Sequence, residues 1–84
     1  MGIDAIAQAL RGVGASVQSL GVVGNGCPSL LVSHRNVNYL IEVKRATQLL
    51  TQAQIQWRDD WRAPVHVVLT IAEALAVIGM GHHT

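Results

Sequence analysis

The apolar positions of this chain change rhythm several times, and each change marks an element. From Ile3 to Leu10, the residues Ile3, Ile6, Ala7 and Leu10 recur at helical spacing while Asp4, Gln8 and Arg11 stay outside the stripe, which predicts a first helix. Gly12 and Gly14 supply the backbone freedom that ends it. Ala15 to Leu20 alternates in part, with Val17 and Leu20 apolar and Ser16, Gln18 and Ser19 polar, and reads as a strand. The stretch from Gly21 to Pro28 is rich in glycine and closes on a residue without an amide donor. That combination marks a loop crossing close to another part of the chain. Leu30 to Ser33 and Asn38 to Val43 form the second and third strands, joined through His34-Arg35-Asn36-Val37 into an antiparallel hairpin.

Polar residues Arg45 to Gln48 precede the next helix, in which Thr51 with Gln54 three positions on has the form of a capping box. This helix is expected to run to about Trp61, with Ile55 on its apolar face and Arg58, Asp59 and Asp60 in solvent. Pro64 breaks it. Val65-His66-Val67-Val68-Leu69 is nearly continuous and β-branched, the pattern of a central strand buried on both faces. Thr70 with Glu73 is a second capping box, opening a last helix whose Ile71, Leu75 and Ile78 form one stripe. The order is α-β-β-β-α-β-α, without internal repeat or low-complexity segment, and it reads as one domain over residues 1–79 with a tail at 80–84.

Composition changes this picture in two ways. Of 84 residues, 50% are hydrophobic and 13% charged, but aromatics make up only 4%, so the core must be built from Ala, Val, Leu and Ile. So small an aliphatic core is marginal alone, and a homodimer is expected. The single Cys27 excludes an intrachain disulfide and fits a reducing compartment. No apolar run has the length of a membrane span and no signal peptide is visible, so the expectation is a cytoplasmic protein with no membrane partner. His82 and His83 in the tail are not counted as a metal site.

The formal net charge of +1 argues neither for nor against a nucleic-acid partner. Its distribution says more: Arg35, Lys44, Arg45, Arg58 and Arg62 lie from the central hairpin to the end of the central helix, and Arg11 alone precedes them. On one face they could hold a phosphate backbone; the other reading is ordinary solvated charge. Within the third strand Glu42 and Lys44 share a face with Leu40, while Tyr39, Ile41 and Val43 point the other way. A strand-end ion pair and a functional pair both remain open for them. Trp57 and Trp61 share a helix face and suit packing against the sheet or at a subunit interface better than base stacking. Cys27 lacks the partners of a nucleophile, His34 falls in the turn, and His66 suits a structural role within its strand.

Gly26-Cys27-Pro28-Ser29-Leu30-Leu31-Val32, the hairpin, Ile41-Glu42-Val43-Lys44, and then Leu50-Thr51 with Gln54 and Trp57 together resemble the VRR-NUC (virus-type replication-repair nuclease) branch of the PD-(D/E)XK superfamily. The resemblance extends from the first helix to the last. It implies an α/β, restriction-endonuclease-like core with a central mixed sheet flanked by helices. It also implies Mg²⁺- or Mn²⁺-assisted hydrolysis of phosphodiester bonds in DNA, often branched or structured, by enzymes of the DNA-repair and phage type that act as homodimers. Two carboxylates hold a hard cation through oxygen, the cation polarises the phosphoryl group and activates water, and a nearby lysine offsets developing charge. By this resemblance Glu42 is the metal ligand, Lys44 the catalytic lysine and Gln54 the helix glutamine that points back to the site. Arg35, Arg45 and Arg58 are the candidate DNA contacts. The site role of Gln54 conflicts with its capping role, because one side chain cannot readily do both; the site role is preferred.

The sequence departs from the family at one decisive point. The family's Pro-Asp is Pro28-Ser29 here, so a hydroxyl, a weak metal ligand, stands where the first carboxylate is expected. The acidic residue that relatives carry on the first helix falls at Ala5, beside Asp4. The expectation is a metal-dependent DNA endonuclease domain with an impaired site. The alternative is a catalytically inactive DNA-binding or assembly module on the same fold.

Overall fold

The computed structural model describes residues 2–80; the tail beyond Met80, with its histidine pair, lies outside the described residues. The elements are α1 (Ile3–Gly12), β1 (Ser16–Ser19), β2 (Leu30–His34), β3 (Val37–Val43), α2 (Gln52–Asp60), β4 (Val65–Val68) and α3 (Ile71–Val77). The α-β-β-β-α-β-α order therefore holds. One mixed sheet runs β1-β2-β3-β4, with β1, β2 and β3 antiparallel in sequence and β4 parallel to β3. The parallel pair follows from α2, since a crossover of helix length is what brings the chain back in the same direction.

One face of the sheet carries the core. Leu30 and Val32 of β2, Ile41 of β3 and Val68 of β4 pack with Ile6 and Leu10 of α1, Ala74 of α3, and Ala15 and Ile78 beside those helices. Of the stripe read from α1, Ile6, Ala7 and Leu10 are buried while Ile3 at the helix start is exposed, and α3 is opened by the Thr70–Glu73 capping box. α2 lies on the other face. Its capping box at Thr51–Gln54 is formed as well, yet none of its residues is fully buried.

Four expectations are corrected by the packing. β4 is the last strand of the sheet, not a central one, and only its Val68 is fully buried. Its residues are apolar on both faces because helices lie on both faces, and that pattern carries no information about lateral neighbours. Ile55 is 38% exposed; Leu50, Gln54, Trp57 and Arg58 are the residues of the α2 region that line one small space with Val65 and Val67 of β4. His34 ends β2 instead of lying in the turn, and it is 8% exposed. It continues the inward alternation of Leu30 and Val32, and its Nδ1 lies 3.3 Å from the Ile78 carbonyl at the end of α3. The turn itself is only Arg35-Asn36, with φ of 51° and 68°, the two-residue geometry whose twist suits a hairpin.

Candidate active site

The strand pairing brings the candidate residues to one end of the sheet. Leu30 is registered with Ile41, so Ser29, just before β2, lies beside Glu42 near the end of β3. On the other side Glu42 is registered with Val67 of β4, and the Lys44 amide donates to the Val68 carbonyl at 2.9 Å. The loop from Leu20 to Ser29 is closed by the Leu20 amide donating to the Ser29 carbonyl at 2.8 Å. Within it Gly26 has φ +86°, and a side chain there would overlap the Ala53 carbonyl and the Gln54 amide. Glycine is what lets the loop and the start of α2 touch.

Glu42 is 6% exposed. Ser29 Oγ donates to its Oε2 at 3.0 Å and accepts the Val43 amide at 3.2 Å. Gln54 Nε2 stands 3.5 Å from the same oxygen, while Gln54 Oε1 accepts the Thr51 amide at 2.9 Å. The expected conflict between capping and site roles is thus resolved: the two ends of one carboxamide serve one role each. Burial pushes the Glu42 carboxyl above its ordinary value, opposed by the Ser29 hydrogen bond and by the positive charge of Lys44. Cys27 is partly buried, and burial with the nearby Glu42 charge pushes its thiol up. A thiol so placed stays protonated and is a poor nucleophile.

The basic residues divide. Arg58 lines the same small space as Glu42, Gln54 and Trp57. Arg45 directly follows Lys44, and its amide donates to Gln48 Oε1 at 2.8 Å. Arg35 sits in the turn before β3, at the opposite end of that strand from Glu42. Asp4 and Ala5 belong to α1, on the core face and not on the face of Glu42. Two features were missed from the sequence. One is the Ser29 hydroxyl as a donor to Glu42, which strand pairing alone could have suggested. The other is a groove of about 530 Å³ between the sheet and the segment after α2, lined by Leu31, Tyr39, Leu40, Trp61, Pro64 and His66 among others. Trp61 there stacks on Trp57 with ring centroids 4.5 Å apart and is 49% exposed.

The donor set does not fit a hard divalent cation. Such an ion needs several oxygen ligands, whereas among the described residues Glu42 is the one carboxylate at this site, Ser29 gives its proton to that carboxylate, and Gln54 turns its nitrogen inward. Among the described residues no group of three His, Cys, Asp or Glu side chains converges.

The element order, the mixed sheet and a Glu-Val-Lys strand paired beside Pro28-Ser29 define the restriction-endonuclease-like, PD-(D/E)XK nuclease fold. A solved structure of a VRR_NUC domain is similar to this chain, with a TM-score of 0.72 and 25% sequence identity over 94% of this chain and 91% of that one. In fold, and over nearly its whole length, the chain is thus similar to a VRR_NUC domain. No family model matches the sequence, and no curated protein matches it.

Proposed function

We propose that this chain is a DNA-directed nuclease domain whose own phosphodiester hydrolysis is impaired at the first carboxylate position. The observation that carries this reading is the pairing of Ser29 with Glu42, an oxygen-to-oxygen contact of 3.0 Å where the family places two carboxylates. Lys44 and Arg58 beside Glu42, with Arg45 on the following segment, suit a phosphate backbone approaching that end of the sheet. The substrate class is structured or branched DNA, the cofactor in restored forms is Mg²⁺ or Mn²⁺, and the partner copy is a second chain of the same kind. The open groove with its half-exposed Trp61 supports the dimer, since apolar surface of that kind marks an interaction site.

The test is cleavage of duplex, flap and four-way-junction DNA with Mn²⁺, comparing the chain with Ser29→Asp. A gain of orders of magnitude in the variant is expected, because the second carboxylate completes the cation's ligands. No gain on any of these substrates overturns the reading. The satisfied state of Glu42, which needs no ion, favours a second reading: a DNA-binding or assembly module without catalysis. DNA binding that is indifferent to Mn²⁺, in both the chain and Ser29→Asp, would select it.

A further inference from the structure

Gln54 has one carboxamide and two neighbours of opposite kind. The Thr51 backbone N–H can only donate, and an ionised Glu42 carboxylate can only accept. With Oε1 toward Thr51 at 2.9 Å and Nε2 toward Glu42 at 3.5 Å, both neighbours are matched. The flipped amide would set donor against donor and acceptor against acceptor, so its polarity is determined twice over. The Thr51 hydroxyl closes the box from the other side by accepting the Gln54 backbone amide at 3.2 Å, which fixes where the first turn of α2 begins.

This makes the two oxygens of Glu42 unlike. Oε2 receives both the Ser29 hydroxyl and the Gln54 amide. Among the described residues none donates to Oε1, and no fully buried side-chain oxygen lacks a partner, so Oε1 is not wholly enclosed. We infer that Thr51, which makes no hydrogen bond to Glu42, is a positioning residue of the site: through Gln54 it holds the carboxylate by Oε2 and leaves Oε1 as the oxygen free for a ligand. Gln54 is on this account a holder of Glu42 and no ligand of a cation, because its own oxygen is taken by Thr51. The meaning of this for activity rests on the nuclease reading above; the geometry stands without it.

The experiment follows the Gln54 side-chain amide by NMR in the ¹⁵N-labelled chain. In the unaltered protein its two protons are expected to be well separated, one shifted to low field by the carboxylate, and to collapse together in Glu42→Leu. Thr51→Ser keeps the separation and Thr51→Val loses it. Thr70→Val removes the equivalent box of α3 and is expected to leave the Gln54 amide as it was, which separates positioning from general loss of a cap. An unsplit amide in the unaltered chain, a Thr51→Val spectrum unchanged at Gln54, or equal loss in Thr70→Val overturns the inference. In the Ser29→Asp chain, Thr51→Val should lower kcat/KM for DNA cleavage roughly 10-fold, the lower end for loss of a residue that orients a ligand, with rescue by Thr51→Ser. If Ser29→Asp does not cleave, the proposed function fails while the amide spectrum still decides this point.

Discussion

A carboxylate enclosed as Glu42 is must be stabilised by donors or take up a proton, and here both tendencies act at once. Desolvation raises its pKa above the ordinary 4.5, and Ser29 and Lys44 only partly offset that rise. The folded state therefore holds the proton to higher pH than the unfolded chain does. Stability from this group is complete below pH 4.5 and declines as pH climbs through the raised folded value. Glu42→Gln removes the titration. Denaturation midpoints of the two proteins should lie closest in acid, and the variant should gain on the unaltered chain as pH rises toward 7; a variant that loses ground over that range would refute the assignment. At this scale the sequence was legible for Glu42 and Lys44, whose alternation fixes their common face. It was less so for Gln54 and His34. Sequence pattern offers Gln54 two competing roles because it does not separate the two ends of a carboxamide. Pattern alone puts His34 in the turn because a buried histidine bonded to a distant helix carbonyl leaves no local signal.

α2 reaches the site through a seat no wider than a glycine. Gly26 has a left-handed φ and lies against the Ala53 carbonyl, so Gly26→Ala combines an unfavourable backbone with a side chain that has no space. Each effect costs about 1–2 kcal/mol. The thermal midpoint should fall by roughly 10 °C or more, and the Gln54 contact with Glu42 should be lost with it; an alanine variant melting with the unaltered chain would show that α2 is not seated there. The helix boundaries were legible from the sequence because both capping boxes are local patterns, and both are formed. Which face α2 buries was not. Ile55 suggested an apolar stripe, but a helix held by a loop glycine, Leu50, Gln54 and Trp57 has no continuous stripe to read.

Across the whole molecule the two edges of the sheet differ. β1 presents Ser16, Gln18 and Ser19, whereas β4 is Val-His-Val-Val, and an apolar edge without charge or proline invites pairing unless something covers it. Together with the groove at Leu31, Leu40 and Trp61, this leads us to expect a dimer in sedimentation equilibrium. Leu31→Lys should convert it to a monomer with unchanged circular dichroism, and a monomeric unaltered chain at high concentration would contradict the dimer. The lateral position of β4 was hidden in the sequence because strand order depends on long-range pairing, while the hairpin before it depends on a turn. That turn has one more consequence. Ser29 and Glu42 flank strands joined through Arg35-Asn36, so this half of the site can assemble as soon as a hairpin closes, on the order of 1–10 µs. Gln54 arrives only when α2 docks. On this order the carboxylate is expected to meet its serine early and its glutamine late, and in a transient opening of the native protein the glutamine is the partner expected to leave first.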